Sequence, residues 1–242
     1  MKKQSGLLEE ILGLQENVMM DVSIKEVLTF LEDSMARQFD MTTVVRLMSL
    51  YSLMQDGVVE KEFKMLSKLF VQAYGYQHVS TLRCLERIGL FSARDPKLLL
   101  EPLLIDRKLP EKMSYRKVCR RLNLLPASAT AASGASPNYV FGGVYTPLIY
   151  KLVDSCLKEK EPSLDELARC YGNDLRTNAY NNPHWSKKHG AILVLVLGGV
   201  TLAEVAAVNL VAQQLGRSIV VASTSTICAG SLVESISQVN DT

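Results

Sequence analysis

Ala191-Ile192-Leu193-Val194-Leu195-Val196-Leu197, then Gly198-Gly199-Val200, then Thr201-Leu202-Ala203-Glu204 running on to Gly216, then Ile219-Val220-Val221-Ala222: this stretch decides the fold. It reads as strand, tight turn, helix, turn, strand. The first apolar run has no polar alternation, which predicts a strand covered on both faces, as in the middle of a parallel sheet. Thr201 is placed to cap the helix, and the Glu204 side chain can reach back to the Thr201 N–H. Gly216 suits the left-handed position past the helix end. Ser231 and Glu234 repeat the capping spacing and predict the start of a last helix.

Two decoys lie in the same stretch. Residues 191–212 are apolar enough to suggest a membrane span, but Glu204 in mid-span, Asn209 and the capping signature oppose it. A strand, a glycine pair and a helix start also suggest a phosphate cradle. Neither G-x-G-x-x-G nor G-x-x-x-x-G-K-[ST] is present, and a strand-to-helix turn needs glycine for its own geometry.

The 242 residues allow one large domain or two small ones, and 48% hydrophobic with 21% charged residues is enough for a real core. A net charge of +2 selects no partner. Five cysteines (Cys84, Cys119, Cys156, Cys170, Cys228), scattered and never C-x-x-C, read as reduced thiols in a cytosolic protein. Met1-Lys2-Lys3-Gln4 has no apolar signal core behind it, so secretion is not expected.

Residues 1–125 read as helices in series: Leu7–Met20; one from a Ser23/Glu26 capping box with Ile24, Val27, Leu28 and Leu31 on one face; Thr42–Asp56; Glu60–Tyr74, closed by Gly75; Ser80–Ile88, closed by Gly89; and Tyr115–Leu122. Asp106–Arg121 is locally basic, which raises a nucleic-acid-binding helical module as an alternative. Tyr115 is its lone aromatic, so a solvated helix face is the simpler reading. Residues 126–137 (PASATAASGASP) form a small-residue flexible linker and the expected domain boundary. Beyond it, Tyr139-Val140-Phe141 reads as a short strand, with Gly142-Gly143, Thr146 as cap and Pro147 at the first helical position. Ser163–Tyr171 is a short helix, and 172–190 a polar loop. The fold class is therefore α/β plus all-α, an N-terminal helical region followed by a partial parallel sheet over 138–242. About three parallel strands are too few to bury a strand that is apolar on both faces. Something outside this stretch, a partner or an upstream part of a longer protein, is expected to complete the sheet.

Catalytic chemistry finds no constellation. His78, His184 and His189 have no neighbours at metal-ligand spacing, and no serine sits in a nucleophile elbow. Cys228 lies before a helix start but has no identifiable base. No catalytic residue, metal or cofactor is expected; a Rossmann-like nucleotide-binding enzyme at Gly198-Gly199 remains a second alternative. Tyr74-Gly75-Tyr76-Gln77-His78-Val79 joins two helices and places two aromatics at an exposed joint, a residue type favoured as interface anchors.

Val45-Arg46-Leu47-Met48-Ser49-Leu50, Ala73-Tyr74-Gly75-Tyr76-Gln77-His78 with Leu85-Glu86-Arg87-Ile88-Gly89-Leu90, Tyr139–Gly143 with Thr146-Pro147-Leu148, and Leu197-Gly198-Gly199-Val200-Thr201-Leu202-Ala203-Glu204-Val205-Ala206-Ala207 occur in one order. Together they resemble the SM (Sec/Munc) family of vesicle-fusion regulators, in its vacuolar protein sorting protein 33 branch. The resemblance implies that 1–125 is the later helical part of the family's third domain and 138–242 the C-terminal return into its second. The family's first domain, the first half of the second and most or all of the SNARE-contacting hairpin precede the matched region, so the chain is expected to be a fragment, a truncated gene model or a divergent short form. The resemblance further implies a non-enzymatic subunit of HOPS- or CORVET-type tethering complexes, cytoplasmic and peripheral on late endosome, lysosome or vacuole membranes. Its implied partners are vacuolar protein sorting protein 16 and SNARE proteins. The implied docking surface lies near Tyr74–Val79, with Tyr76 and Val79 as anchors and Tyr74 in support.

Overall fold

The computed structural model describes residues 2–94, 115–125, 136–158 and 191–238. The chain divides into two compact units, one from Met1–Arg116 with Ala229–Thr242, the other Lys117–Cys228. The expected helix over 163–171, the loop 172–190 with His184 and His189, most of the linker and residues 106–114 of the basic stretch lie outside the described residues.

The first unit is built from α1 (Lys2–Met20), α2 (Ile24–Ala36), α3 (Met41–Met54), α4 (Glu60–Tyr74) and α5 (Val79–Arg87), joined by α9 (Ala229–Gln238) from the far end of the chain. The heptad-like apolar stripes of α2 and α3 turn inward: Val27, Leu31, Val45, Leu47 and Met48 are at most 1% exposed. Leu66 and Phe70 of α4, Leu85 of α5 and Phe91 beyond it are equally enclosed. α3 starts where Asp40 accepts the Thr43 N–H at 2.9 Å, a cap the sequence reading missed by starting the helix at Thr42. Past α5 the chain doubles back. The Val58 N–H donates to the Ser92 carbonyl (2.9 Å) and the Arg94 N–H to the Val58 carbonyl (2.7 Å). The Arg94 guanidinium also donates to the Gln55 carbonyl at 2.5 Å, and Phe91 stacks on Phe63 at 4.9 Å.

The second unit holds the end of α6 (Tyr115–Arg121), α7 (Leu148–Lys158), β1 (Ile192–Val196), α8 (Leu202–Leu215) and β2 (Ile219–Ser223). β1 and β2 are parallel, with Ile192 opposite Ile219 and Val196 opposite Ser223. The Thr201/Glu204 capping box forms as expected, and Gly216 ends α8 in the left-handed conformation. Tyr150 and Val153 of α7 with Ala207, Val208 and Val211 of α8 make a core against which Ile192, Val194 and Val221 pack.

One side of the parallel pair is open among the described residues, as expected of an incomplete sheet: Leu193 and Leu195 of β1 and Val220 of β2 are 66%, 61% and 51% exposed, and Leu197 past β1 is 77% exposed. An aliphatic run states what both faces need, not what the chain supplies. Three expectations need correction. Tyr139-Val140-Phe141 is a single 3-10 turn rather than a strand. The buried Asn138 takes the chain over: its carbonyl accepts from Phe141 N (2.9 Å) and Gly143 N (3.0 Å), and its side-chain amide donates to the Gly143 carbonyl (2.9 Å). The sheet among the described residues therefore has two strands, not three. Ser23 holds the N-cap position but makes no side-chain cap bond: its backbone is left-handed at φ 52° and ψ 37°, not the extended form of a capping residue. The last helix begins at Ala229, so Ser231 lies within its first turn rather than before it.

Candidate partner-docking joint

The C-terminus of α4 is where the sequence placed its candidate residues. Gly75 ends α4 with φ 102° and donates its N–H to the Val71 carbonyl at 2.9 Å. A side chain there would be strained, and its Cβ would meet the Gln77 amide at 2.7 Å. Tyr76–His78 then form one 3-10 turn that leads directly into α5. His78 N–H donates to the Gly75 carbonyl at 3.2 Å, and the Ser80 hydroxyl to the Gln77 carbonyl at 2.8 Å. Beneath the turn lies Phe70, fully enclosed, with Tyr74 at 4.9 Å between ring centroids and His78 edge-on at 6.4 Å.

The two tyrosines have different roles. Tyr74 points inward and donates its hydroxyl to the Phe39 carbonyl at 2.8 Å. Beside it Gln38 donates to the Ala73 carbonyl at 3.3 Å, so the α2–α3 corner is tied to the end of α4. Tyr76 projects outward and is 81% exposed, the most of any large hydrophobic residue among those described. Val79 is half-buried at the start of α5. The structure therefore brings Tyr76 and Val79 to one outward joint and makes Tyr74 its internal stem. On the outer side of α5, Arg83, Glu86 and Arg87 are exposed, and Ile88 is 55% exposed past its end. The sequence reading did not assign Arg83 and Arg87 to this surface. Their spacing from Val79 along one helix was the available signal.

Burial, then the neighbouring Asp40 carboxylate, pushes the Tyr74 phenol above the ordinary tyrosine range. Burial and the hydrogen bond to Glu62 push Tyr51 up as well, its hydroxyl donating to Glu62 at 2.9 Å. Unfolded tyrosines ionise near about pH 10. A folded state that keeps both phenols protonated is fully stabilised below that pH and loses the contribution as pH rises through the folded values. The melting temperature of the helical unit should fall between about pH 9 and pH 11, and Tyr74→Phe should make the fall shallower. Circular dichroism melts across that range provide the check; an identical slope in the variant would dismiss the assignment.

The glycine-pair turn has its Gly198 and Val200 N–H groups engaged by its own chain. Gly198 N–H donates to Thr224 Oγ1 (2.9 Å), Val200 N–H to the Ser225 carbonyl (3.1 Å), and Ser225 Oγ to the Gly198 carbonyl (2.5 Å). The Glu204 carboxylate accepts the Thr201 N–H and hydroxyl, both at 2.8 Å. A Cβ on Gly199 would meet Ile227 at 2.5 Å, so the turn is filled from the β2 side. A phosphate would have to displace these bonds and meet the Glu204 carboxylate. In the basic stretch, Arg116 is ion-paired with Asp21. No cluster of three His, Cys, Asp or Glu side chains and no helix long and apolar enough to cross a membrane occurs among the described residues.

Comparison with known proteins matches the Sec1 family over residues 2–235. The chain is similar to vacuolar protein sorting-associated protein 33B of Danio rerio (26% identical, 97% of this chain, 42% of the relative) and of Homo sapiens (25%, 98% and 42%). It is also similar to the vacuolar protein-sorting-associated protein 33 homolog of Arabidopsis thaliana (27%, 85% and 35%). The chain thus spans about two-fifths of the length of the first two relatives, whose match covers 42% of each. Helices in series, then a parallel β-α-β unit with a Gly-Gly-Val-Thr-x-Ala-Glu turn, lie inside one continuous match from residue 2 to residue 235, and the chain belongs to the Sec1 family.

Proposed function

We propose that this chain is a non-enzymatic part of an SM-type regulator of vesicle transport and membrane fusion, and that the Tyr76–Val79 joint docks it onto a tethering-complex subunit. The observation that carries this is the setting of Tyr76: 81% exposed, yet held on a 3-10 turn over the enclosed Phe70. A large ring on a pinned backbone loses little entropy on binding, and exposed tyrosines of that kind are typical anchors. Family membership and the similarity to vacuolar protein sorting-associated protein 33 relatives support vacuolar protein sorting protein 16 as the partner, in a HOPS- or CORVET-type complex. They likewise support SNARE proteins as what the whole assembly handles, at late endosome, lysosome or vacuole membranes. On this reading the helical unit is the later part of the family's third domain, and the α/β unit is the returning part of its second. The bare sheet face is then covered by the other piece of that domain.

The test is co-purification with vacuolar protein sorting protein 16. Tyr76→Asp should weaken capture at least about 30-fold, the equivalent of roughly 2 kcal/mol at a buried anchor. Stability should stay within about 0.5 kcal/mol, since the ring makes no enclosed contact. Undiminished capture by the folded variant would remove the proposal.

A further inference from the structure

α9 (Ala229–Gln238) follows the α/β unit almost at once: Ile227 N–H still donates to the Val200 carbonyl at 3.0 Å, and only Cys228 intervenes. It nevertheless belongs to the helical unit, where it packs on α3 and α5 and encloses Val233 and Ile236 at 5% and 8% exposure. α5 needs such support. At 9 residues it is too short to hold its own helix in water. Its Thr81 and Leu85 are enclosed at 1% each, while its outer side carries Arg83, Glu86 and Arg87. Val79 is its first residue and Tyr76 opens the turn that feeds it. The support for this helix thus comes partly from a segment synthesised long after it.

We propose that α9 is a clasp that holds α5, so that the Tyr76–Val79 joint becomes competent to dock only when residues 229–238 have been made and seated. The α1–α4 helices can pack as they emerge, as chains do during synthesis. α5 then waits for the C-terminal segment, and a chain cut short after the sheet presents a loose joint that the partner passes over. What docks there rests on the function proposed above; that α9 holds α5 does not.

The experiment compares the full chain with a Val233→Asp/Ile236→Asp variant by amide hydrogen exchange, first with no partner present. Amides of α5 should exchange at least tenfold faster in the variant while those of α1 and α2 keep their protection. Capture of vacuolar protein sorting protein 16 should fall at least tenfold in parallel. Unchanged α5 exchange overturns the clasp, and so does a loosened α5 with undiminished capture. Failure of the docking reading is seen separately, as persistent capture by Tyr76→Asp, because the exchange arm needs no partner. Should the double variant lose protection throughout, the full chain carrying the milder Val233→Ala/Ile236→Ala pair takes its place. Faster α5 exchange with α1 and α2 unchanged supports the clasp, and unchanged α5 exchange overturns it.

Discussion

Replacing Phe70 with alanine should cost about 3–5 kcal/mol of stability, because a fully enclosed phenylalanine leaves both its transfer energy and a cavity behind. Phe70 is 0% exposed and meets Tyr74 at 4.9 Å and His78 at 6.4 Å, so its ring is the floor of the joint. Without it, the Tyr74 hydroxyl loses the packing that aims it at the Phe39 carbonyl, and the 3-10 turn loses its base. Urea unfolding followed by far-UV circular dichroism reads the loss. Partner capture should fall with it. The contrast with Tyr76→Asp is the informative part: one variant removes docking by collapsing the support, the other by removing the anchor on an intact support. A Phe70→Ala midpoint equal to wild type would mean that this ring does not organise α4 and α5.

Placing lysine at both Leu193 and Leu195 should change how the chain associates and leave its fold intact. These side chains are 66% and 61% exposed, and with Leu197 and Val220 they form a continuous aliphatic strip on one side of the parallel pair. A strip of this kind invites association and binds apolar dyes. The double variant should stay monodisperse at concentrations where wild type associates and should bind 8-anilinonaphthalene sulfonate several-fold less. Its unfolding midpoint should move by no more than about 0.5 kcal/mol, as at other exposed sites. Val208→Asp on the covered face, at 0% exposure, should instead unfold the α/β unit, since it places a carboxylate in an apolar core with no partner. If the lysines unfold the unit as severely as Val208→Asp, the strip is covered within the chain and the sheet needs nothing from outside.

The capping box at Thr201 and Glu204 was legible in the sequence because every atom involved lies within one helical turn. The same spacing at Ser23 and Glu26 located the N-cap residue but not its bonding, since Ser23 sits left-handed at φ 52° and its side chain makes no cap hydrogen bond. Tyr139–Phe141 failed for a related reason: three apolar residues are too few to outweigh a buried asparagine and its turn bonds. At the joint, the residues alone located the two tyrosines, and only the family resemblance ranked Tyr76 above Tyr74. The Phe39 carbonyl that claims Tyr74 lies 35 residues away, and nothing local announces it. The placement of α9 was hidden in the same way. Its apolar residues fit any core, and only the tertiary packing on α3 and α5 assigns one.

The most direct test of the docking joint is an exchange footprint: amide hydrogen exchange of the chain alone and with saturating vacuolar protein sorting protein 16. Gly75–Val79 and the rest of α5 should gain at least tenfold protection, while the amides of β1 and β2 stay as they were. Protection that falls on the bare strip of β1 and leaves α5 untouched would contradict the account.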